Sequence, residues 1–224
     1  MENEKSIVYI GAHQDDIVAV AGTLIKLRKK GYKIYEFCLT LGQKGGDDPN
    51  IIELRVKEEE KVCELIGAEL KFFDQMDGEL FAGEEICKAV ADELACIKPA
   101  AVITMWALEK PDHAAAFAIA HRAMHLADLY WTTEFYMNMS DESGYKFDPE
   151  IYVNVDSEID IIQEIVKSYP SMMSPESAEM VIRRKSVYGL LSWCNYAEGF
   201  KTALPLVNER WNRKTEVGRI LLNL

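Results

Sequence analysis

Ile7-Val8-Tyr9-Ile10-Gly11-Ala12-His13-Gln14-Asp15-Asp16-Ile17 is the stretch that decides the fold. Its apolar, β-branched first half reads as a buried strand, and the run stops at one imidazole and two carboxylates. The residues that follow, Val18 to Leu27, are small and apolar with helical spacing. Strand, polar turn and helix in that order place His13, Asp15 and Asp16 at a strand's carboxyl end, the edge where open α/β sheets build their sites.

Further units of the same kind follow. Basic residues and Gly31 stop the first helix, and Lys33 to Leu39 reads as a second strand running into a polar loop, Thr40 to Asn50. Ile51 to Ile66 predicts a helix with a core stripe at Ile52, Val56, Cys63 and Ile66, closed by Gly67, with Glu58-Glu59-Glu60 on a solvated face. Glu69 to Phe73 is a third strand, ending in a turn that carries Asp74 and Asp77. A helix over about 84–97 leads to a fourth strand at Ala101–Met105 and then to an alanine-rich helix reaching about Leu129. Tyr130 to Phe147 reads as a loop or short hairpin, Ile151–Val155 as a late strand, and 159–169 and 174–193 as helices, the last begun by Ser174-Pro175. Strands alternating with amphipathic helices predict a Rossmann-like three-layer α/β sandwich on a mostly parallel sheet, with residues 1–224 forming a single domain.

The composition narrows the partners. About half of the residues, 49%, are apolar and 28% are charged, which is ordinary globular usage. A net charge of −12 would be repelled by nucleic acid and by anionic membrane surfaces, so neither is an expected partner. Five scattered cysteines without a Cys-x-x-Cys pair fit a reducing compartment. Neither a signal-peptide pattern nor an apolar run of membrane-spanning length is visible, so a cytoplasmic protein without membrane insertion is expected.

His13, Asp15 and Asp16 lie within four residues. Adjacent carboxylates repel unless a cation or fixed donors compensate them, and a mixed N/O set suits zinc or a similar divalent ion. An aspartate capping the following helix explains the local pattern equally well. At the matching place on the fourth strand, Lys110-Pro111-Asp112-His113 precedes a helix, and one histidine from here would complete a three-ligand open site. His121 and His125 form a competing pair at i, i+4 spacing, but they lack the glutamate of a His-Glu-x-x-His motif.

Together these residues resemble a known family. Ala12-His13-Gln14-Asp15-Asp16, Gly22-Thr23, Thr40-x-Gly42, Arg55-x-x-Glu58, Leu65-Ile66-Gly67, Asp77-Gly78, Pro111-Asp112-His113 and Tyr196 to Phe200 stand in the order and spacing of the LmbE-like, or PIG-L-like, zinc N-deacetylases. The resemblance implies Zn2+, or another divalent transition metal, on His13, Asp16 and His113, with Asp15 as the general base for the attacking water. It implies an N-acetylglucosamine-type amino sugar or its conjugate as substrate, with Arg55 contacting sugar hydroxyls and Asp77 and Gln43 beside it as substrate-binding candidates. Asp112 and Lys110 join Asp15 as catalytic candidates, and self-association into a homo-oligomer follows the family habit.

Departures from the pattern are equally specific. Gln14 stands where the family has proline, Ile17 where it has glutamate, Gln43 where it has an acid, and Met172 where it has glutamine. Lys110 replaces a histidine that stabilises the oxyanion or helps the amine leave. A lysine keeps a positive charge there but, with an ordinary pKa of ~10.4 against ~6.5, loses the titration range of imidazole. A catalytically altered, metal-containing binding protein is the alternative that these changes allow.

Overall fold

The computed structural model describes residues 5–140, 146–203, 219–222 and 224. Strands β1 (Ser6–Gly11), β2 (Lys33–Thr40), β3 (Ala68–Gln75), β4 (Ala101–Met105), β5 (Glu134–Asn138), β6 (Ile151–Asn154) and β7 (Ala197–Thr202) form one sheet in the order β3-β2-β1-β4-β5-β7-β6. The first five run parallel, and β7 is antiparallel to both β5 and β6. Helices α1 (Ala21–Lys29), α2 (Ile51–Ile66), α3 (Glu84–Ile97), α4 (Pro111–Leu126), α5 (Ile159–Lys167) and α6 (Pro175–Ser192) complete a three-layer α/β architecture.

The strand period of two explains the layers. On β1, Ile7 and Tyr9 face one core with Leu24, Val62 and Ile162, whereas Val8 and Ile10 face the other with Val90, Ile119 and Met124. Because both faces are covered, all of β1 is buried and reads in sequence as an unbroken apolar run. The order of strands reverses at β1, which lies between β2 and β4. A crevice opens at such a switch point, beyond the carboxyl ends of β1 and β4.

Three expectations change. The segment 130–147 contains β5, a strand paired in parallel with β4, rather than only a loop, although Tyr145 lies outside the described residues. All five residues of β5 are buried, so it shows no polar–apolar alternation by which to recognise it. On α2 the buried residues are Ile51, Arg55, Glu59, Val62, Cys63 and Ile66, while Ile52 is 41% exposed. Glu59 is therefore not on a solvated face: it is fully buried and accepts the Tyr169 hydroxyl at 2.7 Å.

Candidate metal centre and active-site cleft

After β1 the chain forms a 3-10 turn, Gln14–Ala19, that carries both aspartates. Asp16 is the third residue of this turn, where it closes back on the turn's start and faces both histidines. Its Oδ2 accepts the His13 backbone N–H at 2.7 Å, and its Oδ1 lies 3.2 Å from Nε2 of His113. Distant residues hold the turn in place. Glu198 on β7 accepts the N–H groups of Gly22 and Thr23 at 3.0 and 2.8 Å, a carboxylate at the positive end of α1. Lys185 donates to the same carboxylate at 2.6 Å and to the carbonyls of Val18 and Ala19 at 3.0 and 3.2 Å. The separated motifs Gly22-Thr23 and Tyr196 to Phe200 are thus two halves of one contact.

Lys110 is the N-cap of α4 and Pro111 its first residue, which orients Asp112 and His113 inward, both buried. His113 Nδ1 bonds the Glu109 carboxylate, whose Oε1 also accepts the Ser140 N–H at 2.8 Å. A carboxylate behind Nδ1 fixes the tautomer that leaves Nε2 to act as a ligand, the usual support for a metal-binding histidine. Glu109 and Ser140 escaped the sequence reading. The only clue was the Glu109–His113 spacing of four.

His13, Asp16 and His113 each offer a ligand atom, and these atoms lie within 4.8 Å of one another. Two imidazoles and one carboxylate are a donor set suited to Zn2+ or a similar divalent ion, so the residues present fit the metal. Burial alone would push His113 down, but the Asp16 charge and the bond to Glu109 raise it to about 9. Burial likewise opposes His13, which its bonds to Asp16 and Asp77 lift to about 10. Burial would raise Asp16, yet the two histidines hold it well below the ordinary carboxylate range.

Asp15, next in the chain to Asp16, lines the open cleft instead. Burial and the Asp16 charge push its carboxyl up to about 6, against the pull of His13, Lys110 and Arg55. The cleft, about 420 Å³, is also lined by His13, Lys44, Arg55, Asp77, Lys110 and Asp112. Asp77 Oδ1 and Asp112 Oδ2 each lie 3.2 Å from His13 Nε2, so these three residues form a second donor grouping that shares His13. Asp112 also accepts the N–H of Gly78 at 2.7 Å and of Leu80 at 3.3 Å, fixing the turn that bears Asp77.

Arg55 reaches the cleft but spends its guanidinium on its own wall. It donates to the carbonyls of Gly42 and Gly45, both at 3.1 Å, and its Nη1 stands 3.8 Å from Asp77 Oδ2. Gly45 is needed for this packing, because a Cβ there would lie 1.7 Å from Arg55 Nη2. Gln43 is not among the described residues lining the cleft. It ties the loop to β3 by donating to Gln75 O and accepting from Asp77 N, each at 3.1 Å, while its neighbour Lys44 faces the cleft. His121 lies apart, stacked on Phe117 and Phe135, and neither it nor His125 joins a donor grouping among the described residues.

Comparison with known proteins places this arrangement. A 4-oxalmesaconate hydratase of Pseudomonas putida is 24% identical over 238 aligned residues, covering 92% of each chain. Among solved structures, a conserved protein of Thermus thermophilus superposes with a TM-score of 0.78 at 24% identity, over 94% of this chain and 99% of that one. An N,N'-diacetylchitobiose deacetylase of Pyrococcus horikoshii gives 0.76 at 20% identity, over 90% and 84%. These structural likenesses establish a shared fold. The family model described as PIG-L, GlcNAc-PI de-N-acetylase, matches residues 8–124, a span that includes His13, Asp15, Asp16 and His113. The chain belongs to the PIG-L family.

Proposed function

We propose that this chain, as one domain over residues 1–224, is a metal-dependent hydrolase that removes the acetyl group from an N-acetylated amino sugar or its conjugate, with zinc as the metal. The observation that carries the reading is the split between adjacent carboxylates. Asp16 turns to both histidines, while Asp15 faces the cleft with its pKa raised toward neutrality. When bound at His13, Asp16 and His113, a divalent ion lowers the pKa of a coordinated water towards ~7 and polarises the amide carbonyl.

The protein's own residues supply the remainder. Asp15 accepts the proton of the attacking water and returns it to the departing amine. Lys110, at the cleft wall, places its positive charge beside the developing oxyanion in the role of the family histidine. Asp77 and Asp112 present carboxylate oxygens to sugar hydroxyls or to His13, and Arg55 sets the position of the loop that bears Lys44. No helix among the described residues is long and apolar enough to cross a membrane. A cytoplasmic enzyme acting on a small molecule, self-associated as its family commonly is, fits this reading.

Acetate release from a panel of N-acetyl sugars tests it. Turnover should fall by about 10²–10⁴-fold in Asp15→Asn with metal content retained, and should also fall in Lys110→Ala. Unchanged deacetylation in Lys110→Ala would remove that residue from the mechanism. Metal binding without turnover of any candidate would favour an altered binding protein.

A second reading has its own support. The relative from Pseudomonas putida is a hydratase, and Lys44 and Lys110 line one cleft where they could pair with substrate carboxylates. In that case the protein adds water to an unsaturated polycarboxylic acid, and loss of the conjugated chromophore replaces acetate as the readout.

A further inference from the structure

One ligand-bearing cluster stands apart from the cleft, in the interior between β2 and α2. Glu59 and Cys63 lie one turn apart on α2, at i, i+4 spacing, and Glu36 meets them from β2, on the face that carries Ile34. Glu36 and Glu59 are fully buried and Cys63 nearly so. The Cys63 thiol donates to Glu36 Oε2 at 2.9 Å and lies 3.9 Å from Glu59 Oε1. The Tyr169 hydroxyl caps Glu59 Oε2 at 2.7 Å and stands 3.0 Å from the Gln14 carbonyl. Two features fall outside these contacts. Glu36 Oε1 is buried with no hydrogen-bond partner. Among the described residues no lysine, arginine or histidine pairs with either carboxylate. Carboxylates this deep are ordinarily paired with a cation or coordinated to a metal.

We propose that Glu36, Glu59 and Cys63 form a second metal site, structural rather than catalytic, for a thiophilic divalent ion of the zinc class. Their ligand atoms lie within 4.8 Å of one another, and the set shares no residue with His13, Asp16 and His113. A thiolate beside two carboxylates selects zinc over magnesium or calcium, which take oxygen ligands. The spacing suits a tetrahedral ion. Bonds of ~2.3 Å to sulfur and ~2.0 Å to oxygen set those donors about 3.5 Å apart, a value between the 2.9 and 3.9 Å found here. Glu36 Oε1, the unpartnered oxygen, supplies a further donor. Binding releases the thiol proton to solvent, and the ion replaces the protons that the buried carboxyls hold in the metal-free chain. Bound there, it ties β2 to α2, and through Tyr169 it steadies the turn that carries Asp15 and Asp16. The site is independent of the hydrolase reading. Because its donors are buried, the ion enters as the chain folds.

Cobalt reports the thiolate directly. The full chain is expressed in zinc-depleted medium supplemented with Co2+, so that the ion is present during folding, and is purified under reducing conditions. Metal per chain is counted by mass spectrometry, and the near-ultraviolet thiolate-to-cobalt charge-transfer band is recorded. We expect two ions per chain and the band in wild type. His113→Ala should lose one ion and keep the band. Cys63→Ser should lose the band together with the other ion. Glu36→Gln, which keeps the thiol and removes a buried charge, should lose that same ion. Cys96→Ser, at an exposed thiol, should change neither quantity. Absence of the band from wild type, its survival in Cys63→Ser, or its loss in His113→Ala would each overturn the proposal. If Cys63→Ser does not fold, Glu36→Gln decides, and an unchanged ion count and band in that variant overturn the proposal. The centre at His13, Asp16 and His113 is judged separately, by the ion lost in His113→Ala, so either assignment can fail alone.

Discussion

Lys185 and Glu198 form an ion pair in the interior, Nζ to Oε1 2.6 Å, with side chains 4% and 1% exposed. Burial pulls the lysine's pKa down and Glu198 only partly restores it. The pair matters because of what it holds: the carbonyls before α1 on one side and the amides of its first turn on the other. Removing the amine leaves a carboxylate buried without its counter-charge, which typically costs about 3–5 kcal/mol. Lys185→Ala should lower the unfolding free energy in urea by that much and loosen metal binding at Asp16. A variant equal to wild type in both respects would show that the pair is dispensable.

Glu109→Gln tests the support behind His113. Losing the carboxylate frees the ring to rotate and weakens Nε2 as a ligand, an effect that usually lowers metal affinity by about 10–100-fold. Zinc competition against a chromogenic chelator measures it directly. His113→Ala should cost more than Glu109→Gln, and the reverse order would contradict the assignment.

Asp15→Asn should separate binding from turnover. The amide cannot accept the proton, so the rate should fall by about 10²–10⁴-fold, while zinc content stays at the wild-type level. Co-loss of metal and activity would mean that Asp15 is itself a ligand.

The acid cluster below the turn makes stability depend on pH. Cys63 donates its thiol proton to Glu36 Oε2 at 2.9 Å, and Glu59 lies beside them. Burial raises Glu36 from 4.5 to about 7, and burial together with the Glu36 charge raises Glu59 well above its ordinary value. The folded state therefore holds more protons than the unfolded chain between about 4.5 and 7, and stability falls as pH rises through that window. Glu36 alone accounts for a few kcal/mol at ~1.4 kcal/mol per unit. Glu36→Gln should be more stable than wild type at pH ~8 and show a flatter profile. Urea unfolding at pH ~5 and ~8 decides it.

Gly45→Ala probes the loop. A methyl group cannot share space with the Arg55 guanidinium, so the Gly42 and Gly45 carbonyls lose their donor or the loop shifts. KM for an amino-sugar substrate should rise with zinc affinity unchanged. A wild-type KM would show that the loop does not shape the cleft.

The sequence carries the parallel sheet and the site edge clearly, because β1 and β4 are buried on both faces and each ends in a polar turn. His13, Asp16 and His113, the set that the family resemblance implies, lie close together. What the sequence hides is anything whose partner lies on a distant element. Glu59 sits within a run of three glutamates and looks solvated, yet Tyr169, more than a hundred residues later, covers it. Arg55 shows its charge but not the two carbonyls that engage it. Lys185 resembles any basic residue on a helix until Glu198 is placed beside it.

The clamp on the turn bears on the order in which the protein becomes competent. Every donor of the candidate metal set has emerged from the ribosome by residue 113, yet the contacts that shape their turn arrive only with residues 185 and 198. Contacts between residues 175 and 176 positions apart are slow to close. The nascent chain thus carries the candidate donors well before it can set their geometry, and a product truncated before β7 lacks that clamp. The geometry of the candidate donor set is completed by the last described strand of the sheet rather than the first.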